Sequence, residues 1–394
     1  MKTFLDEAKE LKEELLENRR TLHGYAEVGF DLPKTYAFVE KKLREYGYDP
    51  IPVGQRGLVC LAGKPGKTIL LRADMDALPM PEENGLPFAA TNGHHHACGH
   101  DTHTAMLLAA AKLLKRHEAE LQGTVKFMFQ PAEELLSGAK DMIANGLLED
   151  PHVDVAMAIH SMPGQDYCRT GNICLMHNGV TNSGDGIRIT IEGRDAHGST
   201  PYLGVDAVSI AAHTILALQE LIAREIPLEE ASTVLVGRIE GGTTCNSVAG
   251  YAVLEVSLRT PGPAQREFLM KRIEEVAAAE AALFRGKATV ERMYGGIPAL
   301  VNDETLLNEC ISYMGEILSE EALVEVPKMG GGEDFTMVAE QVPAVFLMLG
   351  AGSPEEGYEV SVHNPKTRFN EEALPIGAAV YAQCAMRWLE EHTK

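Results

Sequence analysis

The chain has 394 residues, 45% of them hydrophobic and 23% charged, which is typical of a globular protein and long enough for two domains. Its 35 basic and 57 acidic residues give a formal net charge of −22, which argues against nucleic acid or an anionic membrane as a partner. The 7 cysteines are sparse and odd in number, so a reducing, cytoplasmic compartment is expected rather than a disulfide scaffold.

The first part of the chain alternates predicted helices and strands. It opens on an amphipathic helix rather than a signal peptide, and we expect no apolar run near the ~20 residues that span a bilayer. Strands are predicted at 68–71, 124–130 and 153–159, and helices at 102–116 and 138–145. This alternation predicts an α/β fold with a doubly wound, mostly parallel sheet, in which ligands bind beyond the carboxyl ends of the strands.

Several polar side chains are predicted to lie at that edge of the sheet. Asp76, Glu133, Glu134 and His160 each follow a predicted strand closely in sequence. Glu133 and Glu134 are expected in extended backbone, where adjacent side chains point to opposite sides. One carboxylate can then bind a metal while the other serves as a general base, although a solvated acidic turn is the alternative.

Residues 186–294 show a different order of predicted strands and helices. Strands are predicted at 186–192, 233–240, 251–259 and 288–294, with helices near 208–222 and 264–284. This β-α-β-β-α-β order is the ferredoxin-like pattern and predicts an inserted domain. We therefore assign 1–183 and 295–394 to the main domain and 184–294 to the insertion. A strand at 344–349, a loop with His363 and a closing helix at 371–389 complete the main domain.

The segment from His94 to His103 concentrates histidine and cysteine at the entrance of a predicted helix. Cys98 and His100 are separated by one residue, so both can reach one metal cluster. A solvated histidine-rich loop is the alternative. His160 and His363 are each, taken singly, more typical of hydrogen-bonded core histidines. These two histidines, Cys98, His100 and Glu134 together give five donors. Five donors suit two metals bridged by a thiolate better than one zinc.

Six ordered motifs resemble a known family. They are Arg72–Pro79, Ala97–His103, Gln130–Glu134, Gly241-Gly242 with Asn246, Gly332–Phe335 and the His363 loop. The chain is similar to the metallo-amidohydrolases that include hippurate hydrolase, N-acyl-amino-acid amidohydrolases and indole-acetyl-amino-acid hydrolases, a branch of the aminoacylase/carboxypeptidase metallopeptidases. The resemblance implies a catalytic α/β domain interrupted by a ferredoxin-like lid and dimerisation domain.

The resemblance also implies residue roles. Glu133 is the general base and Asp76 a carboxylate that orients a ligand. In the lid, His197 helps to bind the substrate carbonyl oxygen, Asn246 donates an amide N–H, and Arg259 pairs with a substrate carboxylate. A surface histidine, a turn asparagine and a structural ion pair are the respective alternatives. The metal ligands it implies are Cys98, His100, Glu134, His160 and His363, which hold two divalent ions, zinc or manganese.

The expected function is hydrolysis of the amide bond of N-acyl-amino acids by a homodimer with a small-molecule substrate. A dipeptidase or carboxypeptidase, a metal-free hydrolase with Cys98 as nucleophile and His100 or His103 as base, and a non-catalytic metal-binding protein are the alternatives. The triple histidine has no assigned role. His94 and His95 exceed what the motif requires and could admit an accessory metal.

Overall fold

The structure is a computed structural model that describes residues 2–177, 179–228, 230–293 and 296–393. It divides into two compact units. The first unit extends to Val180 and resumes with Val301–Lys328 and from Glu333 onwards. The second unit contains Thr181–Leu300 and the short segment Met329–Gly332. In sequence, the second unit is therefore inserted into the first.

Helices and strands are numbered here in chain order over the described residues. The helices are α1 (Phe4–Glu10), α2 (Lys12–Tyr25), α3 (Pro33–Glu45), α4 (His100–Arg116), α5 (Gly138–Ala144), α6 (Ala207–Glu225), α7 (Pro263–Leu283), α8 (Glu304–Met314), α9 (Thr336–Ala339) and α10 (Leu374–Glu391). The strands are β1 (Ile51–Val53), β2 (Gly57–Gly63), β3 (Thr68–Asp74), β4 (Thr124–Gln130), β5 (Val155–Met162), β6 (Ile173–Leu175), β7 (Asp185–Glu192), β8 (Ala196–His197), β9 (Thr233–Gly241), β10 (Ser247–Val248), β11 (Tyr251–Arg259), β12 (Lys287–Arg292), β13 (Leu323–Glu325) and β14 (Ala344–Gly350). The predicted strand at 288–294 corresponds to β12, and Tyr294 lies outside the described residues.

The first unit is built on a sheet whose described strands follow the order β1-β2-β4-β3-β5-β14-β6-β13. The central strands β4, β3, β5 and β14 are parallel, whereas β1 and β2 extend the sheet in antiparallel fashion. Every residue of the four central strands is buried, as expected when both faces of a parallel sheet are covered. The predicted α/β class with a mostly parallel sheet is confirmed.

The direction of the chain across the sheet reverses between β3 and β5. From β3 the chain passes to β4 on one side and then to β5 on the other, and ligands of open α/β sheets bind at such a point. The β3–β5 pairing ends at Arg72 and Ala158. Beyond that pair, the Tyr381 hydroxyl of α10 donates to the Arg72 carbonyl oxygen and accepts the Ile159 N–H, both at 2.7 Å. Tyr381 therefore bridges the two strands where their direct pairing stops.

His160 lies inside a strand, which corrects the sequence prediction. The predicted strand stops at Ile159, but β5 continues to Met162 because His160 remains in register with Met348 of the parallel strand β14. The side chain still lies near the carboxyl end of β5. The pattern of apolar residues ends before the backbone hydrogen bonding does.

The second unit has the predicted ferredoxin-like order. Its elements β7, α6, β9, β11, α7 and β12 form a βαββαβ unit with an antiparallel sheet of order β12-β7-β11-β9. Ile187, Ile189 and Ile191 of β7 alternate into a core that also contains side chains of α6 and α7. The short strands β8 and β10 pair separately.

Helix α6 corrects one expectation. With 19 residues, it is long and apolar enough to cross a membrane by length and composition alone. Helices in the core of soluble proteins can have the same length and composition. This single helix is weak evidence for a membrane span.

The bridge made by Tyr381 predicts a measurable stability effect. Tyr381→Phe leaves the N–H of Ile159 and the carbonyl of Arg72 buried without their partner, so we expect the unfolding free energy of the first unit to fall by about 2–4 kcal/mol. Urea unfolding followed by circular dichroism measures this loss. The control is Tyr25→Phe at a half-buried position, expected to change stability by less than about 0.5 kcal/mol. Equal midpoints for the two variants would contradict the role given to the bridge.

Candidate functional site

The carboxyl ends of β3 and β4 bring acidic side chains to one edge of the sheet. Asp76 follows β3, and Glu133 and Glu134 follow β4. The backbone N–H groups of Glu133 and Glu134 donate to the two oxygens of Asp76 at 3.0 and 3.2 Å. The sequence prediction that these three residues meet is confirmed by these contacts, and Asp76 fixes the segment that carries the glutamates.

The two glutamates lie in a tight turn, so the expected extended backbone is wrong. Ala132 and Leu136, on either side of them, have φ angles of 53° and 50°, in the left-handed region that side chains disfavour. The turn brings the side chains together instead of separating them. Glu133 Oε2 and Glu134 Oε1 lie 3.8 and 3.9 Å from Nε2 of His100.

The histidine-rich loop turns sharply into α4, which begins at His100. The preceding Gly99 has a φ of 88°, and a Cβ atom there would lie 2.7 Å from the ring of Phe369, so the position requires glycine. Before this turn, the Sγ atom of Cys98 lies 3.3 Å from Nε2 of His160. Nδ1 of His160 is 2.9 Å from the Ser161 carbonyl oxygen and donates to it, which leaves the lone pair of Nε2 facing the sulfur.

His363 reaches the same group of residues from a distant loop. Its φ is 59°, and its backbone N–H donates to the carbonyl oxygen of Ala97 at 3.0 Å, next to Cys98. Nε2 of His363 lies 3.4 Å from Oε1 of Glu134, and the side chain is 52% exposed. The site is therefore accessible to solvent on the His363 side.

The five candidate donors fit two metal ions. Cys98, His100 and His160 have ligand atoms within 4.8 Å of one another, and so do Cys98, Glu134 and His363. Because Cys98 belongs to both groups, its sulfur is suited to bridging two ions. Both ring nitrogens of His100 and Oε1 of Glu134 are buried without a hydrogen-bond partner among the described residues, an arrangement that a bound cation would stabilise.

Asp74 and His103 form a buried support for this group, and Asp74 received no role in the sequence analysis. Oδ1 of Asp74 lies 2.6 Å from Nδ1 of His103, and Nε2 of His103 accepts the backbone N–H of Ser161 at 2.7 Å. Both ring nitrogens of His103 are therefore engaged, so His103 is neither a free base nor an available metal donor. Its contacts connect the first turn of α4 to the end of β5.

A second buried support surrounds Arg72. Nη1 of Arg72 lies 2.8 Å from Asp74, and Nη2 donates to Glu333 and Asp334 at 2.9 and 3.2 Å. Gln130 at the end of β4 donates to Asp334 at 2.6 Å. A charged pair at the end of the otherwise apolar strand 68–74 is the sequence signal that could have identified this network.

The environments of the adjacent glutamates shift their pKa values in opposite directions. Burial raises the pKa of Glu133 well above its usual value, and the carboxylates of Glu333 and Asp334 raise it further. Burial alone would also raise the pKa of Glu134, but the nearby imidazole of His363 and the charge of His100 outweigh burial and lower it. Neighbouring carboxyl groups with divergent pKa values are typical of sites that divide acid–base and binding roles.

The thiol of Cys98 does not have the environment of a free nucleophile. Burial raises its pKa above the usual value of a cysteine, whereas nucleophilic cysteines have a lowered pKa. His103, one of the two bases considered for it, is occupied by Asp74 and Ser161. These contacts disfavour the metal-free alternative.

The remaining predicted residues belong to the second unit. His197 of β8 pairs with Ser247 of β10, and the N–H of Gly198 donates to the carbonyl oxygen of Asn246 at 2.8 Å, so His197 and Asn246 are neighbours. Both are exposed. Arg259 ends β11 and is exposed, and no carboxylate among the described residues forms an ion pair with it. The roles given to these three residues stay predictions.

Comparison with known proteins identifies the family of this chain. Residues 70–387 match Peptidase family M20/M25/M40. IAA-amino acid hydrolase ILR1-like 2 of Arabidopsis thaliana is 35% identical over 388 residues, covering 95% of this chain and 84% of that protein. N-acetylcysteine deacetylase of Bacillus subtilis (strain 168) is 32% identical over 381 residues, covering 95% of this chain and 97% of that protein.

The fold is shared with a solved structure of the same family. The YXEP protein of Bacillus subtilis, described as a dinuclear metal binding peptidase from the M20 family, superposes with a TM-score of 0.81 at 29% identity. The match covers 97% of this chain and 99% of that chain. The predicted resemblance and the predicted class of enzyme are confirmed. The chain belongs to peptidase family M20/M25/M40 and is a hydrolase of amide bonds.

Proposed function

We propose that the protein is a two-metal amidohydrolase that cleaves the amide bond of N-acyl-amino acids, including hippurate-like, N-acetyl and aryl-acetyl substrates. The observation that carries this proposal is the pair Glu133 and Glu134, which lie together beside His100 but have opposite pKa shifts. The names of the plant and Bacillus relatives, an IAA-amino acid hydrolase and an N-acetylcysteine deacetylase, support the substrate class.

We infer that two divalent ions, zinc or manganese, are held by Cys98, His100, Glu134, His160 and His363. When bound, such ions act as Lewis acids on the substrate carbonyl and lower the pKa of water. Asp76 lies 3.5 Å from Nδ1 of His100 and orients that ring. The cysteine and three imidazoles favour zinc, and the surrounding carboxylates are compatible with manganese.

In the proposed reaction, Glu133 is the general base. Its carboxylate takes a proton from the attacking water and then delivers it to the nitrogen of the leaving amine. A raised pKa suits both transfers, because the group must accept and release the same proton near neutral pH. The rigid turn fixed by Asp76 holds the Glu133 backbone during both steps.

The second unit is proposed to supply substrate contacts. His197 would stabilise the oxyanion of the tetrahedral intermediate, Asn246 would donate an amide N–H, and Arg259 would pair with the substrate carboxylate. The proximity of His197 and Asn246, linked through the Gly198 N–H, supports a shared role. The available cationic group of Arg259 suits an acidic substrate end.

The general base is tested by Glu133→Gln, which keeps the shape of the side chain but cannot accept the proton. We expect kcat/KM to fall about 10²–10⁴-fold on the best substrate. The measurement is turnover of hippurate, N-acetyl-amino acids, indole-acetyl-amino acids and dipeptides with added zinc or manganese. Glu149→Gln, a 71% exposed position, is the matched control and should keep full activity.

Two outcomes of this screen would redirect the proposal. Turnover of dipeptides alone would favour the dipeptidase or carboxypeptidase alternative. Identical turnover by wild type and Glu133→Gln on every compound would favour a non-catalytic metal-binding protein.

Metal removal tests the role of Cys98. Dialysis against a chelator should abolish activity, and zinc or manganese should restore it. A Cys245→Ser background removes the one described cysteine that is exposed, so that thiol oxidation reports on the buried ones. We expect bound metal to slow oxidation of Cys98, measured by peptide mass spectrometry. Full activity of the metal-free protein would instead support a nucleophilic cysteine.

We also propose that the protein is a cytoplasmic homodimer and that the inserted domain, 184–294, forms the interface. Strand β9 is an edge of its sheet and exposes Leu235 and Ile239, at 57% and 52% of their surface. The neighbouring helix α6 exposes Leu216 at 68%. A long edge strand with exposed apolar side chains is suited to pairing with a second copy.

The dimer is tested by Ile239→Lys, which places a charge on the edge of β9. We expect the sedimentation coefficient to change from that of a dimer to that of a monomer. Ile51→Lys, on the edge strand β1 of the first unit, is the matched control and should remain dimeric. A monomeric wild type, or a dimeric Ile239→Lys protein, would contradict this interface.

A further inference from the structure

A second group of metal-binding side chains lies apart from the five proposed ligands. It consists of His23 from α2, Glu82 and His95, whose ligand atoms lie within 4.8 Å of one another. All three side chains are buried, with exposed fractions of 1%, 0% and 1%. The proposed hydrolysis uses none of them.

Glu82 lies between the two imidazoles. Its Oε1 atom is 2.8 Å from Nε2 of His23 and 3.6 Å from Nε2 of His95. The Ala90 N–H donates to Oε2 at 2.7 Å and Asn84 Nδ2 to Oε1 at 2.6 Å, which fixes the carboxylate. Neighbouring ligand atoms of a tetrahedral zinc ion are separated by about 3.3 Å, which lies between the two observed distances.

Asp101 orients His23 toward Glu82. Nδ1 of His23 lies 2.8 Å from Oδ2 of Asp101, and Nε of Arg19 donates to the same oxygen at 2.7 Å. Both ring nitrogens of His23 face a carboxylate at 2.8 Å, so without a metal both carry a proton. A bound ion would take the place of the proton on Nε2, while Nδ1 would still donate to Asp101. A carboxylate that holds one imidazole nitrogen while the other binds a metal is a recurrent arrangement in metal sites.

Ring nitrogens without partners surround this group. Nδ1 of His95 and both ring nitrogens of His96 are buried and have no hydrogen-bond partner among the described residues. The rings of His95 and His96 lie 5.9 and 6.0 Å from that of His23, measured between centroids. Buried polar atoms are normally paired, so this part of the loop lacks some of its expected polar partners. Nε2 of His95, the ring nitrogen that faces Glu82, lies 3.4 Å from Nδ2 of Asn84.

The local charge also favours a cation. Glu82 and Asp101 carry two negative charges against the single positive charge of the buried Arg19. A proton shared between His23 and Glu82, or a metal ion, offsets the remaining negative charge. These two possibilities make different predictions for metal content.

We propose that His23, Glu82 and His95 form a separate site for a divalent metal ion, with Asp101 positioning His23. Two imidazoles and one carboxylate are a donor set typical of zinc. The site links α2 to the loop that leads into Cys98 and His100. An ion there would tie the beginning of this loop, at His95, to α2.

The test measures zinc content after chelation, reloading with Zn²⁺ and gel filtration. His95→Gln should bind one zinc ion per chain fewer than wild type. His94→Gln is the matched control, because its ring contacts the carbonyl oxygen of Ala26 at 3.0 Å and belongs to no part of the group. It should bind as much zinc as wild type. The difference between the variants does not depend on whether the proposed catalytic ions bind.

A crystallographic measurement covers the case in which His95→Gln does not fold. Crystals of the wild-type protein grown with Zn²⁺ should give an anomalous difference peak at the zinc edge, about 2.0–2.1 Å from Nε2 of His23 and of His95. Equal zinc content in wild type and a folded His95→Gln protein, or a map without this peak, would overturn the proposal. The group would then be a proton-mediated pair between His23 and Glu82.

Discussion

Asp74 connects β3, α4 and β5, of which α4 and β5 carry the proposed ligands His100 and His160. Its fully buried carboxylate contacts Arg72 at 2.8 Å and His103 at 2.6 Å, and His103 in turn holds the backbone of Ser161. A buried charge is tolerated only when each of its partners is in place, and removing one leaves the others unpaired. The end of β3, the start of α4 and the end of β5 are therefore fixed relative to one another by one carboxylate.

Backbone strain occurs close to the proposed ligands. Among the described non-glycine residues with positive φ angles, Ala132 and Leu136 flank the turn that carries Glu133 and Glu134, and His363 is itself a proposed ligand. Such conformations cost about 1–3 kcal/mol each and persist when surrounding contacts determine them. Asp76 holds the turn of the glutamates, and Ala97 holds the backbone of His363. The contacts of Asp76 and Ala97 thus offset the cost of backbone conformations that orient a few side chains.

Much of this arrangement follows from local sequence, and the rest does not. Apolar runs ending in charged residues predict the parallel strands and the edge where ligands bind, because the polarity of side chains and its period along the chain are local properties. The turn at Glu133 could not be predicted, since its φ angles depend on Asp76, which is distant in sequence. The extension of β5 through His160 depends on β14 for the same reason. The excess histidine His95 is conspicuous in sequence, but its contact with Glu82 requires the folded chain.

Tyr381 has a consequence for how the molecule is made. The hydroxyl that bridges Arg72 and Ile159 lies in α10, and its contact with Arg72 spans 309 positions of the sequence. Protein synthesis proceeds from the N-terminus, and domains fold as units as they emerge. The inserted ferredoxin-like unit has its whole sheet within residues 185–292 and can form early. The bridge between β3 and β5 forms only after α10 has been synthesised, so this end of the sheet is completed later than the inserted unit.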